Sequence, residues 1–279
     1  MAADIYNMEI RPSDVFVIGY ARSGTTLTQE LVWMVANDMD YKTAKSILLM
    51  KRYCFLEYSV MINPEMKERF LKEKEGNIEI QNEIKAISSH KINELSVAPS
   101  PRFIKTHIPL SLFPRSLLDA KVVYIARDPR DVAVSFFHLN RCMVFKGWTD
   151  YWTPYFSHLK EAWEKRHHPN LLFIFYEEYQ RDMSAAIKRV AEFFGKTYTD
   201  EQVGELGEHL DVKNFKKNPF VNNDRLKDLG IMLPNVSEYI RIGKSGGWRD
   251  YFDDEMTVQA EKWIEENLRD TDLRFPTLQ

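Results

Sequence analysis

The sequence predicts a single α/β domain in which a central parallel sheet is flanked by helices. Two patterns carry that prediction: short, wholly apolar runs that stop at glycine or a polar turn, and amphipathic helical stretches that alternate with them. Strands covered on both faces read as unbroken apolar runs, and parallel strands need a crossover between them, usually a helix. With 279 residues, 44% hydrophobic and 13% aromatic, the chain can bury a substantial core near the upper size of one domain, here residues 1–279.

Residues 1–13 make a short N-terminal arm, and Val15-Phe16-Val17-Ile18 is the first buried strand, stopped by Gly19. Thr25 to Ala36 reads as a helix because Leu27, Leu31, Met34 and Val35 recur at helical spacing. Between them runs G-Y-A-R-S-G-T-T, Gly19 to Thr26, with four residues separating two glycines. A turn of this kind points backbone N–H groups at an anion, and the helix adds its positive end. The sheet is therefore expected to be of the P-loop type.

The strongly charged stretch Glu65 to Lys91 reads as solvated helical faces. Arg102 to His107 resembles a strand halted by Pro109, and Lys121 to Ala126 is a second buried strand, followed at Asp128 by a helix with Pro129 in its first turn. Leu171 to Tyr176 is a further strand. Helical patterns follow at Ser184 to Phe194, Asp200 to His209 and Glu255 to Asn267. Residues 215–247, with Pro219, Asn222-Asn223, Gly230, Pro234, Gly243 and Gly246-Gly247, lack periodicity and read as a lid or binding loop. Ligands of such sheets bind beyond the carboxyl ends of the strands.

The formal net charge of −3 supplies no global field for nucleic acid or an anionic membrane. Anion affinity has to come from a few placed residues. Cys54 and Cys142 lack C-x-x-C spacing, the first ten residues lack a secretory pattern, and runs such as Leu171 to Tyr176 fall far below the roughly 20 residues of a bilayer span. The expectation is a cytoplasmic protein with neither nucleic-acid nor membrane partners.

In nucleoside triphosphatases a lysine follows the second glycine and reaches the outer phosphates. Here Thr25 follows Gly24, and the basic residue lies inside the loop as Arg22. That argues against a kinase or triphosphatase and for a different phosphoryl-like donor.

The loop Tyr20-Ala21-Arg22-Ser23-Gly24-Thr25-Thr26-Leu27, the run Lys105-Thr106-His107-Ile108-Pro109 and the run Arg127-Asp128-Pro129-Arg130-Asp131-Val132-Ala133-Val134-Ser135 stand in the order seen in the cytosolic sulfotransferases, which this sequence resembles. Phe173 to Glu178, Phe215 to Pro219 and Arg241 to Trp248 extend the likeness over most of the chain. The resemblance implies a metal-independent transferase that moves the sulfuryl group of 3′-phosphoadenosine 5′-phosphosulfate to a small-molecule acceptor. By the same resemblance Arg22, Ser23, Gly24, Thr25 and Thr26 wrap the phosphosulfate, while Arg127, Ser135, Arg241 and Gly243 hold the 3′-phosphate. Leu27, Tyr176 and Val212 fall at nucleotide-contacting positions. His107 is implied as general base, with Lys105 and Arg22 stabilising charge on the bridging oxygen. The implied acceptor is a small, largely apolar alcohol or phenol, with Phe55, Phe137, Phe145 and Trp148 as aromatic candidates for its pocket. His158, His167 and His168 lie in or beside a polar helical stretch and are expected at the surface.

Four positions depart from the family pattern: Ala21 for the loop proline, Leu27 for its tryptophan, Val212 for a phenylalanine and Ile242 for a lysine. Aromatic stacking on a base is worth ~1–3 kcal/mol, so weaker nucleotide affinity is expected. A sulfotransferase-fold binding protein with little turnover is accordingly the rival reading. A homodimer is compatible with the family, but its dimer signature is interrupted here by Asp253-Asp254.

Overall fold

A computed structural model describes residues 2–144, 154–234, 239–240 and 243–277. Its sheet has five parallel strands: β1 (Val15–Ile18), β2 (Cys54–Phe55), β3 (Phe103–Thr106), β4 (Lys121–Ala126) and β5 (Leu171–Phe175), in the spatial order β2-β3-β1-β4-β5. The single α/β domain with a central parallel sheet is thus as expected. β1 lies in the middle, pairing Val17 with Lys105 of β3 and Ile18 with Tyr124 of β4. The connection leaving β1 goes to β2 on one side and the connection leaving β3 crosses to β4 on the other, so the ends of β1 and β3 flank the switch point where such sheets open a crevice. Gly19 begins there.

Side chains alternate across the sheet, as the pleat requires. Phe16, Ile18, Val122, Tyr124 and Phe173 enter one core cluster, and Val15, Val17, Val123, Ile125, Leu172 and Ile174 enter the other. The starts of β1 and β3 are tied by a buried ion pair in which Arg102 Nε donates to Asp14 Oδ1 at 2.8 Å and Nη1 donates to the Leu95 carbonyl at 2.9 Å. β2 has only two residues, too few to leave an apolar pattern in the sequence, and it was not foreseen.

β5 stops one residue earlier than its apolar run. Tyr176 opens the helix Tyr176–Arg181, because the Glu178 carboxylate reaches back to accept from the Phe175 N–H at 2.9 Å and turns the chain. The glycine loop leads into α1 (Thr25–Ala36), and β4 leads into α2 (Pro129–Cys142), whose N-terminus is capped by Asp128 accepting from the Arg130 N–H at 2.8 Å. α3 (Met183–Phe193), α4 (Asp200–Leu210) and α5 (Asp254–Leu268) follow close to their expected spans. The charged stretch forms Pro64–Glu73 and Ile78–Ile87, each burying one residue, Phe70 and Ile84.

Within residues 215–247 the first part is packed, with Val221, Leu226, Leu229, Ile231 and Met232 buried and Met232 bridged to Met143. Among the described residues no helix is long and apolar enough to cross a membrane.

Candidate functional site

The loop after β1 is shaped by two glycines with different tasks. A Cβ on Gly19 would stand 2.4 Å from the Ile125 carbonyl oxygen, so β4 excludes any side chain there. Gly24 has φ 104° and its Cβ would stand 2.4 Å from the Tyr176 ring. Arg22 is held at φ 72°, an uncommon conformation for a residue with a side chain. Asp182, Thr199 and Asp253 cap α3, α4 and α5 with their side chains, as Asp128 caps α2, whereas Gly24 offers α1 none. The first-turn N–H groups of α1 are thereby left without a side-chain acceptor, facing the position where an anion would bind. Ser23 Oγ beside them is buried and has no hydrogen-bond partner.

A second basic centre lies at the end of β4. Arg127 Nη2 donates to the Lys244 carbonyl at 3.0 Å, and its guanidinium covers the Tyr176 ring at 4.5 Å. Its Nε, like Ser245 Oγ, is buried without a partner. Tyr176 donates to the Gly243 carbonyl at 3.1 Å, and Gly243 rests on Val212, which would meet a Cβ there at 2.5 Å. Ser135 Oγ accepts from Arg22 Nε at 3.0 Å, so Arg22 spans from the loop to α2, and Ser135 lines the same cavity as Arg127. Arg241, with Ile242, lies outside the described residues, as do Phe145 and Trp148. An uncapped helix end and three unpartnered buried polar atoms suit a ligand with two anionic ends.

The third centre is the end of β3. Lys105 and His107 are both buried. His107 Nδ1 faces the Gly19 carbonyl at 2.6 Å, and because a carbonyl only accepts, the ring proton belongs on Nδ1 and the basic lone pair on Nε2. The His107 backbone is fixed as well. Its N–H donates to Glu57 Oε1 at 2.6 Å, and its carbonyl accepts from His158 Nε2 at 2.9 Å. Burial first, then the Lys105 charge, holds the His107 imidazole well below its ordinary value, so it is neutral near pH 7. Burial also lowers Lys105, whose ammonium lies 3.6 Å from the centre of the Phe55 ring.

These centres share one cavity of about 720 Å³ that Arg22, Thr25, Thr26, Leu27, Lys105, His107, Arg127, Ser135, Tyr176, Val212 and Gly243 all line. Its apolar lining includes Phe55, Tyr58, Ile87, Leu95, Leu139 and Met143, and Lys91, Glu94 and Arg102 are among the charged residues that line the same cavity. Of the aromatic candidates Phe55 is there, edge-on to the His107 ring at 5.5 Å. Phe137 is not: it is 57% exposed, because α2 turns Val132, Ser135, Phe136 and Leu139 inward and leaves 137 outside.

His158 corrects a second expectation. His167 and His168 are exposed, but His158 is 1% exposed and shares the face of the helix Tyr155–Glu164 on which Tyr155, Leu159 and Ala162 are buried. The spacing 155, 158, 159, 162 is an apolar-face pattern, and it was legible before the fold was known. Glu57 and Tyr239 were also missed. Glu57 follows an unrecognisable edge strand and holds the Thr106 hydroxyl at 2.8 Å as well as the His107 N–H. Tyr239 comes from the aperiodic stretch, and its carbonyl accepts from Arg22 Nη2 at 2.9 Å.

Comparison with known proteins follows the same lines. A family model described as a sulfotransferase domain matches residues 12–272. Luciferin sulfotransferase of Photinus pyralis is 30% identical, covering 95% of this chain and 74% of that protein. Sulfotransferase 1B1 of Mus musculus is 30% identical, covering 98% and 88%. Among solved structures, retinol dehydratase in complex with androsterone and the inactive cofactor PAP is 45% identical with a TM-score of 0.89, covering 99% of this chain and 87% of that one. The same enzyme with retinol and PAP gives 46% and 0.88, covering 99% and 86%.

Proposed function

The chain belongs to the sulfotransferase family, and from that premise we propose that it transfers the sulfuryl group of 3′-phosphoadenosine 5′-phosphosulfate to the hydroxyl of a small, largely apolar alcohol or phenol, with His107 as general base. The observation that carries this reading is the meeting of a neutral His107, Lys105 and Arg22 where the phosphate loop adjoins a partly apolar cavity. The acceptor oxygen attacks sulfur, its proton passes to His107 Nε2, and the bond from sulfur to the bridging oxygen breaks with its electron pair going to the nucleotide phosphate. Lys105 and Arg22 meet the charge that grows on that oxygen. Ser23, Gly24, Thr25 and Thr26 receive the phosphosulfate, Arg127, Gly243 and, by resemblance, Arg241 the 3′-phosphate, and Leu27, Tyr176 and Val212 the base. Ser135 orients Arg22. From the stretch 215–247, Tyr239, Gly243 and Lys244 border the site, held by Arg22, Tyr176 and Arg127.

The acceptor class is supported by the apolar lining and by the neighbours' ligands, since retinol and androsterone both carry a hydroxyl on a hydrophobic frame. The name of that neighbour favours a second reading. A sulfuryl group turns a hydroxyl into a leaving group, and in an activated alcohol the C–O bond can then break, sulfate departing with the electron pair while an adjacent carbon loses a proton to a base. Net dehydration would result.

Calorimetry with the phosphosulfate donor and with ATP, followed by transfer of labelled sulfate to a panel of phenols, steroids and polyene alcohols, tests these readings. The proposal expects donor binding without added metal, sulfate esters or dehydrated products by mass, and loss of both in His107→Ala with donor affinity retained. Preference for ATP, or donor binding with no product from any acceptor, overturns it.

A further inference from the structure

Tyr239 is half-buried in the cavity that holds His107 and Lys105. Its ring centre lies 4.8 Å from the Arg22 guanidinium, and the Lys105 and Arg22 charges and the Thr26 side chain all act on its phenol. Thr26 stands in the first turn of α1, so the phenol sits among the helix end, the loop arginine and the Lys105 charge. Those are the groups that meet the sulfuryl end of the donor in the proposed reaction.

The side chain is held there through its backbone. Arg22 Nη2 binds the Tyr239 carbonyl at 2.9 Å. A few residues on, Tyr176 binds the Gly243 carbonyl at 3.1 Å, with Gln180 on the same oxygen, and Arg127 binds the Lys244 carbonyl at 3.0 Å. The described residues on either side of 241–242 are thus fastened by the loop and by the β4 arginine.

We propose, resting on the sulfuryl-transfer reading, that Tyr239 is a further catalytic residue, whose hydroxyl donates a hydrogen bond to a sulfuryl oxygen of the donor and follows that group through transfer. Electrostatics agree with the geometry. Burial alone would raise the phenol, yet Lys105 and Arg22 bring it below its ordinary value, which strengthens it as a hydrogen-bond donor. The phenol keeps its proton throughout, so the proton balance of the reaction is unchanged: the acceptor's proton still goes to His107.

The test uses Tyr239→Phe, which retains the ring and its contact with Arg22. Affinities for 3′-phosphoadenosine 5′-phosphosulfate and for the desulfated nucleotide are measured side by side by calorimetry. A hydrogen bond to a charged oxygen predicts that the variant loses about tenfold or more in affinity for the sulfated donor and little for the desulfated one, with a fall in kcat at saturating donor. Equal affinities in wild type and variant for both nucleotides overturn the role of Tyr239 while leaving sulfuryl transfer standing. Tighter binding of both in the variant also overturns it, since the phenol would then be competing with the donor. If the wild type binds neither nucleotide, the sulfuryl-transfer reading itself fails.

Discussion

Acid should unfold this protein partly through one histidine that no reaction uses. His158 packs against Tyr20 and Tyr124 and feels the charge of Glu161. Burial depresses its imidazole from 6.5 to about 4, against the opposing pull of the His107 carbonyl and Glu161. Its folded value lies below its unfolded one, so the unfolded chain binds more protons between those limits, and stability must rise with pH there. The contribution is complete above about pH 6.5 and is lost as pH falls toward about 4. Full protonation corresponds to roughly 3 kcal/mol, of which about 2 kcal/mol is lost between pH 7 and pH 5.

His158→Gln isolates this effect. The neutral ring donates from Nε2 to the His107 carbonyl and accepts the Tyr124 hydroxyl at Nδ1, 2.6 Å away. A glutamine amide offers one donor and one acceptor and does not titrate. Urea unfolding at pH 7, 6 and 5 should therefore show the wild type losing about 2 kcal/mol more than the variant. The depressed His107 imidazole pushes in the same direction in both proteins, and the small part of its depression that comes from His158 is lost in the variant and adds to the difference. Parallel curves would refute the assignment of a neutral, buried His158.

Two further outcomes concern the donor side. Gly24→Ala places a Cβ against the Tyr176 ring at φ 104° and should destabilise the fold by about 1–3 kcal/mol while weakening nucleotide binding, both read by denaturation and calorimetry. Unchanged donor affinity in a folded variant would remove the loop from the binding site. Leu27→Trp should restore base stacking and tighten binding of the desulfated nucleotide about 10- to 100-fold. An unchanged affinity would show that the adenine does not lie against residue 27.

What could be read from the sequence was whatever lies contiguous in it. The strand, glycine loop and helix at Val15 to Ala36 are local structure, and so are the turn at Asp128-Pro129 and the pairing of Lys105 with His107 on one strand end. What stayed hidden was set by tertiary convergence. Glu57 reaches His107 because a two-residue edge strand pairs Phe55 with Lys105, and His158 reaches the same backbone from the helix Tyr155–Glu164. Tyr239 arrives from an aperiodic segment in which nothing but the fold identifies one aromatic as belonging to the site.

This division bears on where the chemistry is controlled. Four elements meet at His107: β1 gives the Gly19 carbonyl that sets the tautomer, Glu57 beyond β2 holds the N–H, the helix carrying His158 holds the carbonyl, and β3 carries the residue. The His107 imidazole is therefore neutral and oriented only when these elements are in register. A side chain assembled this way is a property of the packed domain, whereas the phosphate loop is a property of one strand-to-helix turn. Damage to distant packing should then fall on turnover before it falls on donor binding, because α1 and its loop retain their anion-facing N–H groups after the His107 contacts have loosened.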